Sequence, residues 1–205
     1  MNEIKRIVFA SGNPGKAREI RAMFHELFDG GVELVLQSDL GIAEVEETGL
    51  TFADNALLKA RHAAAASGLA ALADDSGIEV DALDGAPGVR SARFAGEKAS
   101  DRDNVVKLLQ DLQGVPAELR TARFRCVLTY IRGVADPAPL VADGVWEGSI
   151  ALAPSGQNGF GYDPIFVDGF SGLCAAELTP VAKNGCSHRG QALLKLRAGL
   201  RAAGL

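Results

Sequence analysis

The chain has 205 residues, 47% of them apolar, and a formal net charge of −5. That length allows one large domain or two small lobes, and the apolar share permits a sizeable core and argues against disorder. The acidic balance argues against a general nucleic-acid binder or a membrane-surface protein. Ile4 to Ala10 reads as a buried strand, followed by a Gly/Asn/Pro loop from Ser11 to Lys16. A helix follows to about Phe28, with Ile20, Met23, Phe24, Leu27 and Phe28 as its apolar stripe. Val32 to Gln37 reads as a second strand. The acidic stretch Glu44 to Glu47 then leads to a helix for which Thr51 and Asp54 resemble a capping box. Phe52, Ala56, Ala60 and Ala63 line its apolar side, and Lys59, close to that stripe, is expected to snorkel to water, with a place facing a cleft as the alternative. Gly68 stops this helix.

Next comes an apolar strand expected to end in Asp74 and Asp75, with Ser76 and Gly77 as a turn. Ile78, Val80 and Ala82 alternate with Glu79 and Asp81, the pattern of a separate, half-exposed strand. Gly85 to Gly96 is a loop rich in Gly, Pro and Arg, and Ser100 with Asp103 resembles a cap for the helix Asn104 to Leu112. Thr121 to Ile131 and Leu140 to Leu152 form a long hairpin around the turn-rich Gly133 to Pro139. Gly156 to Gly161 is a glycine-rich loop, and Ile165 to Val167 a short strand. The last helix is expected from about Ser187, with Leu193, Leu196 and Leu200 buried. This order predicts an α/β domain with a mixed sheet and an appended antiparallel part. The three cysteines, Cys126, Cys174 and Cys186, contain no Cys-x-x-Cys spacing, which argues against a disulfide framework or a zinc site. Without a signal-peptide pattern or a bilayer-spanning apolar run, the expectation is a cytoplasmic protein.

Several groups could do chemistry. Paired carboxylates at a strand's carboxyl end suit a shared Mg²⁺, although Asp-Asp-Ser-Gly is equally at home in a polar turn. Ser11-Gly12-Asn13-Pro14-Gly15-Lys16 lies between strand and helix, where backbone N–H groups and a lysine can hold phosphate. It matches neither a Walker A nor a Gly-x-Gly-x-x-Gly spacing, and a plain strand-to-helix turn explains it as well. Lys183, Ser187, His188 and Arg189 form a basic cluster at the last helix start. It is either an anion site or a solvated basic end. Phe160-Gly161-Tyr162-Asp163-Pro164 offers an aromatic face beside a carboxylate, which could stack and hydrogen-bond a nucleobase. Glu46 and Glu47 could join Asp74 and Asp75 around a metal, or be ordinary surface acids. Acids for a metal, bases for phosphate and a ring for a base together suit hydrolysis of a phosphoanhydride.

The blocks Ser11–Lys16, Glu46–Ala56, Ala73–Gly77, Gly85–Arg93, Phe160–Pro164 and Lys183–Arg189, in that order, resemble the non-standard purine nucleoside triphosphate pyrophosphatases, also called inosine/xanthosine triphosphate pyrophosphatases. The resemblance covers nearly the whole chain. It implies a single two-lobed α/β domain over 1–205, with a long mixed sheet, flanking helices and a central nucleotide-binding cleft. It also implies a homodimer and Mg²⁺-dependent hydrolysis of ITP, dITP and XTP to monophosphate and pyrophosphate, cleansing the nucleotide pool of deaminated purines. The implied partner is thus a small nucleotide, not a nucleic acid or membrane. Carried over, Asp75 is the general base and a metal ligand, Glu47 shares the metal with Glu46 as a less certain neighbour, and Asp74 supports them. Ser11, Gly12, Asn13, Pro14, Gly15 and Lys16 hold the triphosphate, and Ser76 touches substrate. Phe160 stacks on the base, Gly161, Tyr162 and Asp163 complete that wall, and Lys183, His188 and Arg189 read the base. Ser11 stands where threonine is common, Val181-Ala182 where acids are frequent, and Cys186 where an apolar residue is usual.

Overall fold

A computed structural model describes residues 5–28 and 31–204. Six strands form one mixed sheet in the order β2-β1-β3-β4-β5-β6. They are β1 (Lys5–Ala10), β2 (Val32–Leu36), β3 (Ala70–Val80), β4 (Thr121–Ile131), β5 (Leu140–Ile150) and β6 (Phe166–Asp168). β1 pairs in parallel with both β2 and β3, and β5 with β6 in antiparallel, so the predicted mixed α/β architecture holds. The helices are α1 (Pro14–Phe28), α2 (Phe52–Ser67), α3 (Asp101–Asp111), α4 (Pro180–Cys186) and α5 (His188–Ala202). Ile4, included in the predicted first strand, lies outside the described residues. Among those described, no helix is long and apolar enough to cross a membrane.

The chain divides into two compact units. Unit 1 comprises 1–75, 126–144 and 189–205; unit 2 comprises 76–125 and 145–188. Strands β3, β4 and β5 each contribute residues to both.

Strand alternation organises unit 1. Successive side chains of a strand point to opposite faces. Ile7 and Phe9 of β1 and Leu72 of β3 therefore share a core with Ala17, Ile20, Met23 and Phe24 of α1 and with Ala192, Leu193, Leu196 and Leu200 of α5. Val8, Ala10, Ala71 and Ala73 face the other way and pack on Ala60, Ala63 and Ala64 of α2. Alanines on both surfaces let that helix sit close to the sheet. Its start is the predicted cap: Thr51 Oγ1 accepts the Asp54 N–H at 3.2 Å, and Gly68 closes the helix at φ +70°.

Unit 2 has its own core. Ile78 and Val80 of β3, Phe124 of β4 and Trp146 of β5 pack with Val105 and Leu108 of α3, with Leu112 that caps its end, and with Tyr162, Ile165 and Phe166. α3 begins in the predicted capping box, Ser100 with Asp103, three residues earlier than its expected first residue Asn104.

One expectation is corrected. Asp74 and Asp75 do not end a strand: β3 runs through them without interruption from Ala70 to Val80. The last helix begins where expected, at His188 directly after Ser187, but Ser187 follows an unanticipated short helix, α4, and its extended backbone separates α4 from α5.

Candidate functional site

The register of β1 and β3 places the two aspartates. Ala10, the last residue of β1, lies opposite Ala73. Asp74 and Asp75 thus extend just past the carboxyl end of β1, where the Ser11–Lys16 loop departs. In that loop Asn13 caps α1, its Oδ1 accepting the Lys16 N–H at 3.0 Å.

Alternation then separates the acids. Asp74 follows the face of Leu72, toward α1 and α5; Asp75 follows Ala71 and Ala73, toward α2. Each accordingly has its own partners. Asp74 is fully buried and takes Arg189 Nε and Nη2 at 3.2 Å each and Lys16 Nζ at 3.3 Å, with Cys126 Sγ at 3.8 Å. Arg189 Nη1 also reaches Glu19 Oε2 at 2.5 Å. Burial would raise the Asp74 carboxyl, but Lys16, then Arg189 and Lys59, hold it well below the usual carboxylate range. The Arg189 guanidinium, burdened by burial yet faced by Asp74 and Glu19, is locked further into its charged form. Cys126 is the reverse case: burial, with Asp74 beside it, pushes its thiol up.

Asp75 accepts Asn55 Nδ2–H at 3.1 Å and faces Lys59 Nζ at 3.4 Å. Lys59 also pairs with Glu47 Oε1 at 2.5 Å, so two carboxylates converge on one ammonium. Burial is the largest influence on Asp75 and raises its pKa; Lys59 and Lys16 oppose it, and Glu47 adds to it. For Lys59, burial pulls the ammonium down, but Asp75, Asp74 and Glu47 more than reverse that. Asn55 Oδ1 in turn accepts the Gly49 N–H at 2.8 Å, tying the Glu47 loop to α2. A Cβ on Gly49 would stand 2.6 Å from that oxygen, so the close approach requires glycine. Glu47 is half-buried whereas Glu46 is exposed.

Unit 2 holds the remaining candidates. The Phe160 N–H donates to Asp163 Oδ2 at 2.8 Å. Lys183, buried on α4, pairs with the same oxygen and lies 5.0 Å from the Phe160 ring centre. The Gly161 N–H donates to Asp101 Oδ2 at 2.8 Å, and the Tyr162 hydroxyl donates to the Ser91 carbonyl at 2.8 Å. Tyr162 is thereby buried in the core, which pushes its phenol up. His188 is buried too, its ring stacked on Phe124 at 4.8 Å. Ser76, the first residue of unit 2, is half-buried on β3.

The structure therefore brings together Lys16, Asp74 and Arg189, and separately Glu47 and Asp75, and in unit 2 Phe160, Asp163 and Lys183. Three contributors had not been singled out in the sequence: Glu19, Asn55 and Asp101. Lys59 had been expected to reach for water, but its side chain is only 13% exposed. A signal existed for two of these. Asn55 and Lys59 are four apart on the same stripe as Phe52, Ala56 and Ala63, and polar groups on a buried helix face need partners.

The donor set suits a hard divalent cation. Glu47 and Asp75 offer carboxylate oxygens and already converge on a cationic group. Among the described residues no cluster of three or more His, Cys, Asp or Glu could hold a metal. Two carboxylates can hold a hard divalent cation whose other ligands come from water and substrate phosphates.

A family model described as the Ham1 family matches residues 7–199. A Vibrio vulnificus (strain YJ016) protein named dITP/XTP pyrophosphatase is 55% identical over 198 residues, covering 97% of this chain and 98% of that protein. A Yersinia pseudotuberculosis protein of the same name is 56% identical over 200 residues, covering 98% of this chain and all of that one. The solved structure of a HAM1 protein from Coxiella burnetii, 46% identical, aligns with a TM-score of 0.86 over 97% of this chain and 99% of that chain.

Proposed function

Since the chain belongs to the Ham1 family, we propose that it is a dITP/XTP pyrophosphatase. It hydrolyses ITP, dITP and XTP to the nucleoside monophosphate and pyrophosphate, with Mg²⁺ as cofactor. The family match includes residues of both units, which supports one catalytic domain over 1–205. The observation that carries the chemistry is the convergence of Glu47 and Asp75 on Lys59.

Glu47 and Asp75 would hold the metal, with the exposed Glu46 as a less certain neighbour. When bound, Mg²⁺ would supply positive charge that offsets the phosphates and the departing pyrophosphate. Asp75 accepts the proton of the attacking water as the general base. Asn55 fixes the orientation of that carboxylate through a single donated hydrogen bond. Residues Ser11 to Lys16 take the triphosphate, with Gly12 and Gly15 allowing close backbone approach. Lys16 supplies positive charge from a position fixed by Asp74.

Phe160 stacks on the base, and Lys183, oriented by Asp163, supplies a donor to it. A 6-oxo purine accepts a hydrogen bond where adenine donates one, so a fixed ammonium favours the former. The mismatch costs about 1–3 kcal/mol. Arg189 acts at a distance from this step, by holding Asp74. His188 stacks on Phe124 in the core of unit 2. The protein is further proposed to act as a cytoplasmic homodimer, a point for light scattering to decide.

The test is product analysis with ITP, XTP and ATP in the presence of Mg²⁺. Monophosphate plus pyrophosphate from ITP and XTP, with ATP turned over far more slowly, is the expected result. Diphosphate plus orthophosphate would instead make it a general nucleotide phosphatase, and equal turnover of ATP would remove the base specificity.

A further inference from the structure

We propose that Asp101, on the first turn of α3, is a positioning residue that sets the direction of the Phe160 ring. The inference rests on the pyrophosphatase reading and deepens it. The two peptide groups that flank the Phe160 Cα each present one N–H. The first, Phe160 N–H, is held by Asp163 Oδ2 at 2.8 Å. The second, Gly161 N–H, is held by Asp101 Oδ2, also at 2.8 Å. With both flanking peptide planes fixed, the φ and ψ of Phe160 are fixed as well. The Phe160 Cα–Cβ bond then leaves the backbone in one direction, which limits the ring to the few positions its side-chain rotamers allow.

The two anchors differ in kind. Asp163 is buried and shares its oxygen with Lys183, so its removal disturbs charge and fold together. Asp101 is exposed, and water can replace it on the Gly161 N–H after truncation. The helix start does not depend on it either, because the α3 capping box is made by Ser100 and Asp103. What it supplies is orientation at Gly161, whose φ of +60° is a conformation that glycine leaves weakly constrained. Without Asp101 the Phe160–Gly161 peptide can rotate, and a stacking platform is lost to part of the ensemble.

An acid at a first helical position also favours the helix dipole, and the two roles are separable. Asp101→Asn removes the charge but keeps a carbonyl oxygen that can accept from Gly161; Asp101→Ala removes both. The experiment measures steady-state hydrolysis of ITP with Mg²⁺ for wild type and both variants, and inhibition by tripolyphosphate, which has no base. Asp101→Ala is expected to raise KM for ITP roughly fivefold, the effect of one net hydrogen bond, with kcat within about twofold. Asp101→Asn should retain the wild-type KM, and tripolyphosphate inhibition should be unchanged in both. An unchanged KM in Asp101→Ala overturns the proposal. So does an equal rise in both variants, or a parallel weakening of tripolyphosphate. Wild-type protein that fails to cleave ITP would instead overturn the pyrophosphatase reading, and this inference with it.

Discussion

Unit 1 and unit 2 handle buried charge differently. Unit 1 gathers Glu19, Lys16, Asp74 and Arg189 on one sheet face and Glu47, Lys59 and Asp75 on the other, each acid meeting a cation. Unit 2 buries the ion pair of Lys183 with Asp163 beside the Phe160 ring and a backbone hydrogen bond. The contrast follows from the ligands each is proposed to meet. A polyanion and its metal require dense, mutually compensating charge. A neutral base requires a flat apolar surface and a few oriented donors.

Mutations can break this contrast at either end. The largest effect is expected from Asp75→Asn, which keeps the size and the strand but removes the proposed base and a proposed metal oxygen. Pyrophosphate release from ITP should fall by about 10³-fold or more. Near-normal turnover would remove Asp75 from its assigned role.

Arg189→Met should act on stability. It leaves the Asp74 carboxylate buried without its main guanidinium partner, a loss of about 3–5 kcal/mol measurable by urea unfolding. The same carboxylate sets a pH dependence. Its folded pKa lies below the unfolded value of about 3.9. Its contribution is therefore complete above that value and is lost as pH falls through the folded pKa. Asp74→Asn should flatten this part of the acid unfolding curve, and an unchanged curve would contradict the assignment.

Phe160→Ala addresses unit 2. Loss of a stacking surface costs about 1–3 kcal/mol per base, which should appear as roughly a tenfold rise in KM for ITP. Tripolyphosphate inhibition should not change, and Phe160→Trp should restore the KM. The smallest effect is expected from Tyr162→Phe. It deletes one hydrogen bond to the Ser91 carbonyl and should lower stability by about 1 kcal/mol, read as a shift in the urea midpoint. A change in kcat would show that Tyr162 does more than brace the platform.

Much of the fold was legible because it is written in local signals. The Thr51 and Ser100 caps, the Gly68 stop and the apolar stripes of α1 and α5 each act within one or two turns of chain. α4 escaped notice because Asn184 and Gly185 read as breakers and its seven residues carry no clear stripe. β3 was divided in two because Asp-Asp-Ser-Gly has the composition of a turn. It stays extended because partners far along the chain neutralise it: Arg189 lies 115 residues from Asp74. The same distance in sequence explains the site. Its blocks could be recognised as a set, but that the adjacent aspartates face opposite ways follows from strand geometry and was not applied to them. Nor does composition show that Arg189 is 1% exposed and holds two acids, Asp74 and Glu19.

Asn55 gives this centre a polarity. Its planar head donates to Asp75 at one end and accepts from the Gly49 N–H at the other. The two neighbours therefore dictate which way the amide lies, and it cannot be reversed without losing both bonds. Aspartate, which differs by a single atom, would set oxygen against oxygen at Asp75. Leucine would match the volume and satisfy neither end. A buried side chain of no catalytic reactivity thus ties the Gly49 backbone to the Asp75 carboxylate and holds the two in one relative arrangement.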